Sequence, residues 1–366
     1  MNMTEDKKKA TPFYATRPIY FIFIMNNQVS WQQILSRIFI RIPFPVLRRL
    51  ARINLLIAYF HILSDEDVIH VKHLYKYKNT RQFNEDIDFI LKSYSPISLR
   101  ELFNSIKNSH RLPENAFLLT FDDGYREIND IVAPILLEKG IPATFFVCSA
   151  FTDNNQLWYR NKASLLIERY QRSRSTSLEL KLSVLLRSRK LKFDDIPSGI
   201  LSVSYLQRDL LDDIANVLEV DFNDYLHTHK PYLTSDHIKK LIENGFTMGA
   251  HSIDHPQYFL LPLEEQLRQT MKSVRFVRET FHLDYGVFSF PFSDYKVSDE
   301  FFSRLFHYRF IDLTFGTAGP MKDLILTNLQ RINLEMPHVK AERIIENVYA
   351  ERLARMASMN DKIIRD

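Results

Sequence analysis

The stretch Leu118-Leu119-Thr120-Phe121-Asp122-Asp123-Gly124-Tyr125 runs a largely apolar segment straight into two adjacent carboxylates and a glycine. An Asp-Gly pair behind such a segment is a strong hairpin signal, and on this stretch alone a turn and a functional site stand level. The next segment of the chain favours the site. Ile128–Lys139 has the apolar spacing of a helix and is closed by Gly140, so no partner strand returns from the turn. Carboxylates at the C-terminal end of a parallel strand lie where α/β folds keep their active sites.

The same rhythm extends to both sides. Ile53–Phe60, Ala143–Val147, Phe246–Ala250 and Val287–Phe290 are further short apolar runs, as expected of strands buried on both faces. Helical patterns at Phe83–Tyr94, at Ser235–Glu243 (capped by Ser235) and from Pro262 to about Phe281 alternate with them. Strands alternating with helices predict an α/β parallel sheet or barrel. Residues 152–231 break the alternation with amphipathic pieces and the run Arg172–Ser177, and read as a helical insertion over one face. The expected organisation is residues 1–50 as a basic leader with helices, 51–337 as the barrel interrupted at 152–231, and 338–366 around a C-terminal helix.

A second polar cluster also comes directly after an apolar strand: Gly249-Ala250-His251-Ser252-Ile253-Asp254-His255-Pro256. Two histidines four apart can bind one metal, although an isolated pair is more often solvated loop. Two such clusters at the ends of strands of one sheet change the balance. They supply two imidazoles and a carboxylate as ligands, and a second carboxylate as a general base. A His/carboxylate set without thiolate suits one divalent ion, Zn²⁺ first, with Co²⁺, Mn²⁺ or Ni²⁺ as alternatives.

Thr120–Gly124 (T-F-D-D-G) and His251–His255 (H-S-x-x-H) resemble the first two motifs of the polysaccharide deacetylases, the NodB-homology or carbohydrate esterase family 4 proteins. Pro142–Val147 resembles their second core strand. The resemblance implies an irregular (β/α) barrel of about seven strands and hydrolysis of N-acetyl or O-acetyl groups on sugars. It assigns Asp123, His251 and His255 to the metal and Asp122 to the base. Water activated by the metal would attack the acetyl carbonyl as Asp122 takes its proton. The oxyanion would lie at the metal and a backbone N–H, that of Tyr125.

Two family features are altered. The third motif places an arginine beside the base, whereas here Phe288-Ser289-Phe290-Pro291-Phe292 has Ser289 at that position. Pro291 and Phe292 are expected at the substrate end of the site. Arg331 is the candidate replacement, with a surface charge as its alternative reading. The usual C-terminal histidine acid is absent between Phe310 and Pro337. His61, which ends the first strand and resembles the Tyr-His start of related deacetylases, is the candidate acid, with a satisfied core histidine as its alternative.

Composition sets outer limits. Of 366 residues 45% are hydrophobic and 25% charged, which is ordinary globular composition. The single cysteine, Cys148, excludes a disulfide framework and a multi-cysteine zinc site. Residues 1–52 carry nine Lys/Arg against Glu5 and Asp6, a balance of +7, so the remainder of this +4 chain is about −3. Basic charge confined to one end argues against a nucleic-acid partner.

Lys7–Lys9 and then Ile19–Met25 resemble a signal peptide, but the run is too short to span a membrane and Asn26-Asn27-Gln28 offers no small-residue cleavage site. Met25 is an alternative start. Ser30 with Gln33 predicts a cap for a helix ending before Pro43, and Pro45 starts a second helix bearing Arg48, Arg49 and Arg52. A hairpin packed on the main domain is the expectation, and a basic amphipathic membrane-surface anchor the alternative. The functional expectation is a cytoplasmic, metal-dependent deacetylase of an N-acetylated carbohydrate, in contact with the inner membrane face if that anchor operates. A catalytically inert carbohydrate-binding scaffold on the same fold is the alternative.

Overall fold

A computed structural model describes residues 31–365. The basic leader, the run Ile19–Met25, the alternative start and the Ser30 cap lie outside the described residues. The chain opens with α1 (Trp31–Phe39) and α2 (Phe44–Ala51). The break between them falls at Pro43, the N-cap of α2, with a second proline in its first turn. Then come β1 (Leu55–Phe60), α3 (Thr80–Leu91), β2 (Ser95–Pro96), α4 (Leu99–Asn108) and β3 (Ala116–Phe121). Reciprocal capping boxes, Asn79 with Gln82 and Ser98 with Glu101, start α3 and α4. The Asn79 cap therefore begins α3 three residues before the apolar pattern does.

The expected helix Ile128–Lys139 is not uniform: a π-turn over Ile128–Val132 leads into α5 (Ala133–Glu138). Pro134 has no N–H to give the preceding turn, which accounts for the wide spacing there. After β4 (Ala143–Val147) the insertion supplies α6 (Tyr159–Arg172), α7 (Thr176–Ser188), α8 (Ile196–Leu201), α9 (Leu210–Leu218) and α10 (Phe222–His229). Next is α11 (Ser235–Glu243), whose cap is Thr234 rather than Ser235, because the Thr234 hydroxyl accepts from the His237 N–H. After it come β5 (Thr247–Ala250), α12 (Leu263–Thr280), β6 (Val287–Ser289), α13 (Asp299–His307), β7 (Leu313–Gly316), β8 (Lys322–Asp323), β9 (Asn328–Gln330) and β10 (Ile332–Asn333). The chain then forms α14 (Ala341–Ala357) and β11 (Lys362–Ile363).

Nine strands form one sheet in the order β10-β1-β3-β4-β5-β6-β7-β9, with β2 paired to β3. Every pairing in it is parallel. β9 pairs with β7 while β10, one residue later, pairs with β1. The sheet thus bends back on itself as a near-closed (β/α) barrel, and Arg331 sits at the seam. With β9 and β10 taken as one stave and the short β2 set aside, the nine strands reduce to the seven of the expected barrel.

Parallel strands need apolar faces on both sides, and the buried clusters show both. Ile57, Leu118, Phe146, Leu313 and Phe315 belong to one. Leu56, Phe60, Phe83, Phe121 and Phe145 pack with the surrounding helices. The insertion helices form a third cluster with Tyr125 and Cys148, the residues just past β3 and β4. The insertion is therefore seated on the barrel face where those strands end. At the other end of the chain Arg365 donates to Asp294 and Asp323, both at 2.6 Å, tying the C-terminal segment to the loop after β6.

Candidate active site

β3 delivers Asp122 and Asp123 side by side, and the backbone then turns through positive φ at Asp123 (69°) and Gly124 (71°). A Cβ on Gly124 would meet Val147 Cγ1 at 3.0 Å, so both conformation and space require glycine here. After β5, Ser252 and His255 also take positive φ (68° and 59°), as does Phe292 after β6 (58°). Such backbone is costly for non-glycine residues and gathers where side chains must be aimed.

That aim brings Asp123, His251 and His255 together. Asp123 Oδ1 lies 3.4 Å from His251 Nε2 and 3.1 Å from His255 Nε2, and all three residues are buried. Their candidate ligand atoms fall within 4.8 Å of one another. His251 Nδ1 lies 2.8 Å from the Ser289 carbonyl, which can only accept. The Nδ1 proton is therefore committed, which leaves Nε2 as the ring atom that faces Asp123 and can ligate. Asp123 Oδ1 and His255 Nδ1 are buried without a hydrogen-bond partner. Lone pairs converging on an unpartnered carboxylate oxygen repel unless a cation lies between them, so these residues fit a divalent ion. Burial alone would raise the Asp123 carboxyl; the charge of a protonated His255 ring and N–H groups of the two histidines lower it well below the ordinary carboxylate range, a role that a cation takes over when both rings are neutral. Burial depresses His255 despite the attraction of Asp123, which keeps its ring neutral for ligation.

Asp122 faces a different partner. Arg331 Nη1 donates to Asp122 Oδ1 at 2.8 Å and Nη2 to Oδ2 at 2.7 Å, a bidentate pair with Arg331 fully buried. Nη2 also donates to Ser289 Oγ at 2.6 Å, and the Ser289 hydroxyl donates to Asp122 Oδ2 at 3.2 Å. The guanidinium lies over the rings of Tyr59 (4.6 Å) and Phe146 (5.6 Å). Burial pushes the Asp122 carboxyl up, and Arg331, with help from His251, outweighs it and lowers it overall. The surface-charge reading of Arg331 is thus incorrect: the seam between β9 and β10 turns it inward. Ser289, which stands where the family motif carries arginine, accepts a hydrogen bond from Arg331.

His61, just past β1, places Nδ1 2.6 Å from Glu335 Oε2. Glu335 Oε1 accepts from the backbone N–H of His61 (3.0 Å) and of Ile62 (2.8 Å). Burial alone would lower the His61 ring, but Glu335, and after it Asp123 and Asp122, raises it to about 9.

Tyr125 is buried and its hydroxyl accepts from Asn161 at 3.0 Å. Around it the Arg126 N–H bonds Pro231 and the Leu233 N–H bonds Gly124, so neither bond uses the Tyr125 N–H proposed for the oxyanion. Pro291 is buried in the turn after β6, and the Phe292 ring stands 4.7 Å from that of His255.

Three participants carry no motif of their own in the sequence. Glu335 is four residues past Arg331, where no periodic pattern marks it. Trp158 comes from the insertion and packs its ring 4.4 Å from His255. Ser289 is visible in the sequence only as a missing arginine.

The sequence model of the polysaccharide deacetylase family matches residues 109–304. That segment contains Asp122, Asp123, His251, His255 and Ser289; His61, Arg331 and Glu335 lie outside it. Solved structures share the fold. IcaB from Ammonifex degensii is 14% identical, over 81% of this chain and 97% of its own, with a TM-score of 0.51. The Streptococcus pyogenes deacetylase PplD, solved with acetate, is 12% identical over 81% and 98% (TM-score 0.52). A de-N-acetylase from Aggregatibacter actinomycetemcomitans is 12% identical over 80% and 99% (TM-score 0.51). No curated protein matches the sequence. Since the family match spans more than half of its 366 residues, this chain belongs to the polysaccharide deacetylase family, whose reaction is deacetylation of carbohydrate.

Proposed function

We propose that the protein hydrolyses the acetyl group of an N-acetylated sugar, with one divalent ion held by Asp123, His251 and His255. The observation that carries this reading is the unpartnered Asp123 Oδ1 facing two imidazole nitrogens, beside a second carboxylate held apart by Arg331. An ion bound there supplies Lewis-acid polarisation of the acetyl carbonyl and a water of lowered pKa, and the donor set suits Zn²⁺ first.

The remaining steps belong to the protein. Asp122 accepts the proton of the attacking water on a carboxylate oxygen, while Arg331 keeps that carboxylate ionised and fixed in plane. The C–N bond breaks, acetate leaves, and His61 gives its Nε2 proton to the departing amine. Glu335 on Nδ1 sustains the protonated ring for that step. Trp158 and Phe292 pack against His255 and limit water on that side. The Arg331–Asp122 pair weighs against an inert scaffold, whose two grounds were the missing motif arginine and the missing C-terminal histidine.

The test is acetate release from N-acetylglucosamine oligomers, before and after chelation and after return of Zn²⁺, Co²⁺, Mn²⁺ or Ni²⁺. The expected result is loss on chelation and recovery with at least one ion. Activity indifferent to chelation would overturn the metal assignment. Cleavage of O-acetyl esters without any N-acetyl sugar would overturn the substrate assignment.

A further inference from the structure

Residues 31–53 contain five arginines and no acidic side chain. One of the five is engaged: Arg48 donates to the Ser93 carbonyl at 2.9 Å and lies over the rings of Phe44 and Tyr94. Among the described residues Arg37, Arg41, Arg49 and Arg52 have no ion-pair partner, and all four are exposed.

The two helices also bury only one side. α1 is fixed to α14, with Gln32 Nε2 donating to Ser358 Oγ at 3.2 Å. α2 is fixed to the same helix by Phe44, whose ring stacks on Tyr349. On the side of α1 turned away from α14, Trp31 (78% exposed), Ile34 and Ile38 (55%) succeed one another at helical spacing. Arg37 stands three residues beyond Ile34, on the flank of that stripe, and Arg41 follows, exposed, in the turn after α1. α2 repeats the pattern with exposed Val46 and Leu50 beside Arg49 and Arg52.

An exposed tryptophan and isoleucines flanked by unpaired arginines is the composition of a helix lying in a lipid interface. We propose that this face, formed by the outer sides of α1 and α2, docks on an anionic lipid surface. Charge decides among occupants. Residues 1–30 carry Lys7, Lys8, Lys9 and Arg17 against Glu5 and Asp6, so as a cover they would bring like charge to like charge. A second copy related by a twofold axis would oppose the same arginine cluster to itself. An anionic headgroup layer complements both the charge and the apolar stripe, each arginine near it contributing roughly a fivefold gain in partitioning. The inference is independent of the deacetylase assignment.

The experiment is co-sedimentation of the full chain with vesicles of equal parts phosphatidylcholine and phosphatidylglycerol, and with phosphatidylcholine alone, at low and high salt. Binding is expected to the anionic vesicles only, weakening with salt. The double variant Arg37→Ala/Arg41→Ala should bind roughly 25-fold more weakly, from two fivefold losses, with an unchanged far-UV circular dichroism spectrum and melting temperature. Ile34→Ser/Ile38→Ser should weaken binding at high salt as well. Failure of the full chain to bind anionic vesicles would overturn the proposal, whether residues 1–30 or a second copy covers the face. Binding that survives both double variants would overturn it too, since the attachment would then lie elsewhere in the chain.

Discussion

Arg331 reaches Asp122 from two strands away, its Nη1 and Nη2 closing a bidentate pair on Oδ1 and Oδ2 at 2.8 and 2.7 Å. The two residues are 209 positions apart, and the contact exists because β10 pairs with β1 and β1 with β3. Both partners are buried, so the pair must be kept whole: removing one side of such a pair leaves an uncompensated charge and costs about 3–5 kcal/mol.

Arg331→Lys retains a positive charge but cannot make the planar two-pronged contact. Acetate release is expected to fall by about 10- to 100-fold, with KM changed little because the lost contact orients the base rather than the sugar. Arg331→Met should instead lower the denaturation midpoint strongly. Steady-state kinetics and urea unfolding of the two variants separate orientation from folding.

The same pair sets an acid limb. Asp122 is depressed in the folded protein because Arg331 outweighs its burial. Its contribution to stability is therefore present above the unfolded carboxylate pKa and lost as pH falls through the lower folded value. Activity requires the ionised form, so the acid limb of kcat should lie below the ordinary carboxylate range. In Arg331→Lys the limb should move to higher pH, and a pH–rate profile of the two proteins would show the displacement.

His61 has the opposite sign. Its folded pKa is raised from 6.5 to about 9, chiefly by Glu335 acting against burial. Stability from the pair is fully present below pH 6.5 and is lost as pH rises toward 9. A cation at Asp123 draws the value down, so the alkaline limb of the loaded enzyme should lie below 9. Glu335→Gln should move that limb to still lower pH and slow the reaction at neutral pH, whereas a His61 that served only packing would leave the profile in place.

Gly124→Ala tests the turn beneath the site. With φ at 71° and Val147 Cγ1 at 3.0 Å from the added carbon, the substitution is expected to cost roughly 1–3 kcal/mol. It should also weaken metal retention by displacing Asp123, which thermal melting and metal content would report together.

Legibility depended on distance along the chain. Asp122, Asp123, His251 and His255 could be read because each pair comes directly after an apolar strand, and His61 because it ends β1. Arg331 could be named only as a candidate, since its inward direction depends on how β9 and β10 share the closing seam. Glu335 had no local signature at all, and Trp158 stood in an insertion that breaks the strand–helix rhythm. Ser289 shows the reverse difficulty: read as a loss, it bonds both Asp122 and Arg331. The parallel α/β architecture could be inferred from alternation and the barrel from the family resemblance, whereas the π-turn before α5 depended on the local consequence of Pro134.

Metal content and acetate release, measured on the same preparations of wild type, His251→Ala and Asp122→Asn, test the division of the site most directly. Wild type should hold the ion and release acetate, and His251→Ala should lose both. Asp122→Asn should keep the ion while its rate falls by roughly 10²–10⁴, the scale of general-base catalysis. Undiminished acetate release by Asp122→Asn, or full metal content in His251→Ala, would contradict the account.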